Sequence, residues 1–417
     1  MQPPKIEIIP ARPAVCRDQA AVLDVLVRII PPVPEVHFLR PPINLGIVLD
    51  RSGSMTTERK MEHAREAAIF AVSQLLPTDR VSITIYDEVV ETIAPSAPVV
   101  DKPGLVARIR GIMPRGSTDL HKGWAAGAEQ VVRHVNWEGL NRVLLLSDGL
   151  ANVGVTDPNT IRAEVAAMAK TRVSTSTLGV GKDYNEDLME AMAEAGDGNY
   201  YYVEAAIQLA DIFQTELNGL MATTSRDVGL RVETARRDVA VQVMNELERD
   251  PSGRLKLPNL VLGMPISILV RFTVPPQTGQ PELCRFHLDW DEPGSESPGR
   301  RSQAVALAMP AVPARQWSEM PIDPAVAEHV ALHTAASARK EAIAALDRGD
   351  ETTARVWLDK LRNVIANSPR TEEMTSEWNN MQETQSWLNQ GQTGSARKAA
   401  HYQQHYRKSG RSTPPPK

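Results

Sequence analysis

The stretch Asn44-Leu-Gly-Ile-Val-Leu-Asp50-Arg51-Ser52-Gly53-Ser54-Met55 constrains this chain more than any other. Six mostly apolar residues run without alternation, as in a strand buried on both faces. The run ends on an acid and two hydroxyls, and a helical pattern follows over Lys60–Leu76. A strand, a polar turn and a helix in that order predict an open α/β sheet. In such sheets ligands bind outside the carboxyl ends of the strands. One carboxylate and two hydroxyls on a turn suit a hard divalent cation, which prefers oxygen ligands.

The alternation continues through the next segments. Strands are expected at Val81–Tyr86, Val89–Ile93, Arg142–Leu146, Arg172–Leu178 and Tyr200–Val203. Helices are expected at Leu105–Ile112, Asp119–Val135, Pro158–Lys170, Glu186–Ala195 and Ala206–Met221. Asp157 is placed as an N-cap before Pro158 at the first helical position. Strands alternating with helices imply a mainly parallel sheet with helices on both faces.

The flanks read differently. Ile6–Ile9 and Ala21–Ile30 look like strands, as do Asp227–Glu233, Val239–Val243, Arg254–Leu257, Ile266–Val274, Leu283–Trp290 and Gln303–Ala308. Short strands at this spacing predict a β-sandwich. The N-terminal strands are too few to stand alone, so they are expected to complete it, with the α/β domain inserted. Ala325–Asp347, Glu351–Asn367 and Glu372–Gln390 are expected helices, the first two forming an αα-hairpin broken at Gly349. The expected organisation is N-terminal sandwich strands at 1–42, the α/β domain at 43–224, the rest of the sandwich at 225–312, helices at 323–409 and a disordered tail at 410–417.

Composition sets outer bounds. A length of 417 residues allows roughly three domains. A net charge of −5 predicts no nucleic-acid partner. Two cysteines, Cys16 and Cys284, make no disulfide framework and read as reduced thiols. The N-terminus lacks the basic flank and apolar core of a secretory signal. No segment reaches the roughly 20 apolar residues of a membrane helix. The expectation is a cytoplasmic protein with no membrane contact.

Two more segments complete the opening turn. Arg115-Gly-Ser-Thr118-Asp119-Leu opens a helix, and Leu144-Leu-Leu-Ser147-Asp148-Gly149 ends a strand. If the first and third strands of the domain are neighbours, Asp50, Ser52, Ser54, Thr118 and Asp148 converge at one sheet edge. These segments resemble the von Willebrand factor A domain and its metal-ion-dependent adhesion site, with the pattern D-x-S-x-S, then T, then D. All five positions match, in order, within about residues 43–224. The insertion into flanking strands also resembles the bacterial intracellular group called calcium-activated chloride channel-like, a name that implies no channel in a chain without a membrane segment.

The resemblance implies a Rossmann-like domain holding Mg²⁺, with Mn²⁺ and Ca²⁺ as alternatives. Ser52, Ser54 and Thr118 would offer hydroxyls, and Asp50 and Asp148 would act directly or through water. A partner's Asp or Glu would fill the open coordination position, and the helix after Thr118 would move when it does. Arg51, Gly53, Asp119 and Gly149 flank these residues. Arg51 either tunes which anion approaches or points to solvent. The implied function is a metal-dependent protein-binding scaffold rather than an enzyme. The implied partners are AAA+ ATPases of the MoxR type or signalling assemblies.

Competing chemistries fit less well. A haloacid-dehalogenase-type phosphatase needs a second acid two residues after the first, and Ser52 stands there. No G-x-x-x-x-G-K-[ST] run marks a nucleotide P-loop. His63 and His121 lie on helices near these loops and read as exposed helix residues rather than bases. A divalent-metal hydrolase of phosphates or esters stays as the alternative.

Three other features have plain readings. His401 and His405 stand at i, i+4, and without further ligands they read as part of a basic tail helix. Gly391–Lys417 holds six Lys or Arg and no acid; its charge run reads as a solvated tail, and the closing Ser-Thr-Pro-Pro-Pro-Lys looks disordered. The acid-rich Asp289–Glu296 reads as a polar turn.

Overall fold

A computed structural model describes residues 2–32, 40–292, 300–408 and 410. Contacts divide the chain into two units. Of the described residues, one holds 2–32 together with those from Thr223 onward, and the other holds 40–222.

The first unit opens with β1 (Lys5–Pro10), β2 (Val15–Cys16) and β3 (Ala21–Ile30). The chain then enters the inserted unit, which is the expected α/β domain. Its strands are β4 (Ile43–Asp50), β5 (Arg80–Tyr86), β6 (Val90–Pro98), β7 (Leu140–Ser147), β8 (Val173–Val180) and β9 (Tyr200–Val203). Its helices are α1 (Lys60–Gln74), α2 (Lys102–Arg110), α3 (Leu120–Val132), α4 (Pro158–Lys170), α5 (Glu186–Ala195) and α6 (Leu209–Met221). The sheet order is β6-β5-β4-β7-β8-β9, parallel except for β6, which returns from β5 as a hairpin.

Every residue of β4 and of β7 is buried. That explains their unalternated apolar runs, because helices cover both faces. The chain leaves β4 toward β5 on one side and later returns to β7 on the other. The crevice at the carboxyl ends of β4 and β7 is therefore the place where winding reverses, where ligands bind in such sheets.

Helix α3 packs unusually close on the face of β4 and β5. A Cβ on Gly123 would enter the Tyr86 ring, and one on Gly127 would strike Val48. From the strand side, a Cβ on Gly46 would come 2.7 Å from Val131. Three glycines thus let helix and sheet backbones approach. Asp157 caps α4 as expected, accepting from Thr160 N. Expected ends differ by a few residues elsewhere: α2 starts at Lys102 rather than Leu105, and α3 starts after Asp119, which caps it instead of joining it.

The other unit carries two antiparallel sheets. Its strands are β10 (Thr223–Thr234), β11 (Ala240–Val243), β12 (Leu255–Lys256), β13 (Leu260–Val261), β14 (Ile266–Val274), β15 (Glu282–Asp291), β16 (Arg301–Ala308) and β17 (Ala311–Val312). One sheet has the order β1-β3-β14-β11, the other β12-β10-β15-β16 with β13 beside β10. β3 pairs with β14 along its whole length, from Ala21↔Val274 to Ile29↔Ile266. One apolar core joins both sheets, from Leu26 and Val270 to Leu230 and Phe286. Cys16 and Cys284 are both free and buried. The expected polar turn at 289–296 is corrected in part, since β15 continues through Asp291; residues 293–299 lie outside those described.

Helices follow: α7 (Ala314–Glu319), α8 (Pro324–Asp347), α9 (Glu351–Ala366), α10 (Glu372–Asn389) and α11 (Thr393–Lys408). Val326 at the head of α8 is buried in the two-sheet core. Gly349 turns α8 into α9 with a positive φ of 72°. Arg339 of α8 and Glu377 of α10 form a buried ion pair. Helix α11 lies within the expected helical region and corrects only the solvated reading of its basic run. Its Ala396, Ala399 and Ala400 are buried, Lys398 is 4% exposed, and Arg397 pairs with Asp347. Composition there hid an alanine stripe that packs on α8 and α10. Of the expected tail 410–417, only Gly410 lies within the described residues. Among the described residues no helix is long and apolar enough to cross a membrane.

Candidate functional site

Parallel pairing of β4 with β7 sets Leu49 beside Leu146, so the two strands end together. Their next polar residues meet above the sheet. Asp50 and Asp148 are both 0% exposed. Asp50 Oδ1 accepts from the Ser52 amide at 2.8 Å, and Oδ2 accepts from Ser147 Oγ at 2.7 Å. Ser52 Oγ lies 3.0 Å from Ser54 Oγ, which donates to Asp148 Oδ1 at 2.7 Å. Ser54 is exposed, so the carboxylates form a floor and this hydroxyl reaches the mouth.

Thr118 arrives from the second loop, Arg115–Asp119. A Cβ placed on Gly149 would come 3.1 Å from Thr118 Oγ1 and 3.8 Å from Ser54 Oγ. The threonine hydroxyl therefore stands over the Asp148-Gly149 turn, close to Ser54. Asn152 fixes it there: Thr118 N donates to Asn152 Oδ1 at 3.2 Å, and Thr118 O accepts from the amides of Asn152 and Val153. The structure thus brings together all five residues that the sequence singled out.

The flanking residues have distinct tasks. Gly53 N donates to Gly116 O at 3.0 Å, joining the first loop to the second. Asp119 caps α3 by accepting from Lys122 N at 3.1 Å, and its own amide donates to Asp87 O. Gly149 leaves room for Thr118. Arg51 corrects the solvent reading: it is 6% exposed. Its Nε lies 2.9 Å from Asp87, and its Nη1 lies 3.3 Å from Glu91. Arg115 Nε donates to the same Asp87 carboxylate at 2.6 Å. Burial opposes ionisation of Asp87, but the Arg115 hydrogen bond, the Val89 amide and the Arg51 charge outweigh it and hold the carboxyl below its ordinary range. This knot, with Arg51 and Asp87 buried and Arg115 and Glu91 at the surface, clamps the loops that carry Ser52 and Thr118. Nothing in the spacing of Asp87 signalled it, because its partners come from two distant segments.

Two further residues at the floor escaped the sequence reading. Ser147 holds Asp50, and Lys60 Nζ donates to Asp148 Oδ2 at 2.8 Å. A lysine at the first position of a predicted helix was a usable signal, since a cation there opposes the helix dipole. His63 and His121 are not the exposed residues expected. Their side chains are 16% and 15% exposed, and they lie beside Glu66 and Glu164.

Electrostatics favour an added cation. Burial pushes Asp50 up to about 6, offset by the Ser52 side chain, and the Asp148 charge adds to the rise. Two enclosed carboxylates with three neighbouring hydroxyls form a hard oxygen donor set, so these residues fit a divalent cation such as Mg²⁺.

Comparison with known proteins agrees with this architecture. Residues 44–215 match the profile of the von Willebrand factor type A domain. The chain is 30% identical over 194 residues to the uncharacterized protein YfbK of Escherichia coli K12, covering 46% of this chain and 34% of that protein. It is 28% identical over 211 residues to inter-alpha-trypsin inhibitor heavy chain H4 of Homo sapiens, covering 46% of this chain and 22% of that protein. The chain therefore spans about a third or less of the length of these two relatives. A solved structure, a von Willebrand factor type A protein from Catenulispora acidiphila, superposes with a TM-score of 0.70 at 16% identity, covering 90% of this chain and 89% of that one. That likeness extends to the flanking sheets and helices as a matter of fold. By its sheet order, its matched profile and its relatives, this chain carries a von Willebrand factor type A domain, spanning residues 44–215.

Proposed function

We propose that this protein is a divalent-cation-dependent protein-binding module that captures an Asp or Glu side chain of a partner. One observation carries the reading: two fully buried carboxylates and three hydroxyls meet at the reversal point of the sheet. Ser52, Ser54 and Thr118 would hold the ion through hydroxyls, with Asp50 and Asp148 behind them. The bound cation would supply an electrophilic centre with an open position. Ser54 at the mouth marks the side from which a partner's carboxylate enters. The Arg51–Asp87–Arg115 knot holds the loops of Ser52 and Thr118, and the Ser54–Asp148 hydrogen bond ties in the third loop, so the site is built before the partner arrives and little ordering entropy is lost on binding.

The reading assigns capture rather than turnover, with Mg²⁺ as the ion and Mn²⁺ or Ca²⁺ as alternatives. The proposed partner is a component of a larger assembly, such as an AAA+ ATPase of the MoxR type or a signalling complex. The test is Mn²⁺ binding followed by paramagnetic resonance, with Mg²⁺ competition, for the wild type, Asp50→Ala and Thr118→Ala. One Mn²⁺ per chain is expected for the wild type, displaced by Mg²⁺. Loss of binding is expected in both variants, with unchanged circular dichroism. Undiminished binding in both variants would remove the site from consideration. Metal-dependent turnover across a panel of phosphate and ester substrates would instead favour a hydrolase.

A further inference from the structure

Helix α1 begins with a buried lysine where local physics disfavours one. Lys60 is 4% exposed, so its ammonium is largely stripped of water. It occupies the first helical position, where the helix end carries partial positive charge. Helix α2 also opens on a lysine, but Lys102 is only half-buried and its Nζ donates to Ser73 O, so it carries no comparable desolvation. The turn that delivers Lys60 is also costly. Glu58 and Arg59 both adopt left-handed backbone, with φ of 50° and 55°, a conformation that non-glycine residues rarely take in succession. Three unfavourable terms thus converge on one side chain.

What offsets them is Asp148. Lys60 Nζ donates to Oδ2 at 2.8 Å, while Oδ1 of the same carboxylate accepts from Ser54. Gly181, with φ +75°, passes beside the lysine; a Cβ there would come 3.4 Å from Nζ. Lysine therefore shares a carboxylate with the candidate cation site and sits behind it.

We propose that Lys60 is a built-in counter-ion that keeps the site's affinity for a bare divalent cation low and makes firm binding depend on the partner's carboxylate. The inference rests on the cation-binding reading above. Formal charges make the argument. Asp50, Asp148 and Lys60 sum to −1, since two carboxylates face one ammonium. A divalent cation takes the sum to +1, and an incoming carboxylate then takes it to zero. Without Lys60, the cation alone would neutralise both carboxylates and leave little call for a third. In a low-dielectric site an uncompensated charge is expensive, so this difference is felt as affinity. The lysine makes the site incomplete by one negative charge, which an acidic ligand alone supplies.

The test compares Mn²⁺ affinity, with no protein ligand present, for wild type, Lys60→Gln, Lys60→Met and Lys60→Arg, read by the resonance signal of free Mn²⁺. Both neutral variants are expected to bind at least about tenfold tighter than wild type. Lys60→Arg, which keeps the charge, is expected to stay within a few fold of wild type. Thermal unfolding with and without Mn²⁺ accompanies each titration. A neutral variant that folds only with Mn²⁺ also supports the proposal, since the cation then replaces the missing ammonium. Unchanged or weaker affinity in the folded neutral variants would overturn it and leave Lys60 as a structural pair. Neutral variants that stay unfolded even at saturating Mn²⁺ would overturn it too. Absence of Mn²⁺ binding in wild type and variants alike would instead sink the cation-binding reading, and this inference with it.

Discussion

Asp50 is fully enclosed, and burial pushes its carboxyl up to about 6 from an ordinary 3.8. A carboxyl whose folded value is raised favours the protonated form when folded. Its penalty is absent below about 3.8, grows as pH rises, and is complete above about 6. The full penalty at neutral pH is roughly 3 kcal/mol. Asp50→Asn removes the charge at nearly the same shape. In EDTA at pH 7.5 the inserted unit of the variant is expected to unfold at higher temperature than wild type, with the gap closing toward pH 4. Added Mg²⁺ should reverse the order by stabilising only the wild type. Thermal melts across pH check this; a gap independent of pH would show that Asp50 carries no such penalty. Binding residues that lower the stability of the empty protein are a common trade between function and stability.

The element that most directly connects packing to the site is α3. It starts one residue after Asp119 and two after Thr118, so any displacement of the helix moves the threonine. Its close approach depends on Gly123 over Tyr86 and Gly127 over Val48. Tyr86 has little freedom to yield: it is 0% exposed, and its hydroxyl donates to Leu146 O at 3.1 Å. Gly123→Ala is expected to cost about 1–3 kcal/mol by overpacking, the gain in helix propensity being smaller. It is also expected to weaken Mn²⁺ binding several-fold by lifting Thr118. Urea unfolding and Mn²⁺ titration test the two effects together. A variant that loses stability and keeps full affinity would show that the Asn152 and Asp87 contacts hold the loop without help from α3.

On the scale of the whole molecule, one compact unit is built from two distant stretches of chain, with the other unit inserted between them. Strand β3 lies inside its sheet, between β1 and β14, and Leu23, Val25, Leu26, Val27 and Ile29 are core residues. Residues 40–222, expressed alone, are expected to fold cooperatively and bind Mn²⁺ as the full chain does. A chain lacking residues 2–32 is expected to lose the structure of the two-sheet unit, because β14 then loses β3, one of its two partners, and the core loses seven buried side chains, Ala11 and Val15 with the five of β3. Limited proteolysis with mass spectrometry reads both outcomes. A protease-resistant two-sheet unit in the truncated chain would contradict the second.

Local chemistry determined what the sequence could say by itself. Uninterrupted apolar runs at β4 and β7 marked strands buried on both faces, and Asp157-Pro158 marked a helix start, because these signals depend on neighbours in the chain. Asp50, Ser52, Ser54, Thr118 and Asp148 were legible because each sits at the end of such an element. Even the pairing of β3 with later strands was within reach, since an orphaned apolar strand must find a partner. The tertiary structure alone decided which charges meet. Arg51 turns inward because Asp87, Glu91 and Arg115 assemble around it from other segments. Helix α11 is ordered because α8 and α10 offer its alanines a surface, although its basic composition argued for a solvated tail. Lys60 faces Asp148 across 88 residues of chain. Propensity is a property of a few adjacent residues, whereas compensation of a buried charge depends on what folding brings to within a few ångströms.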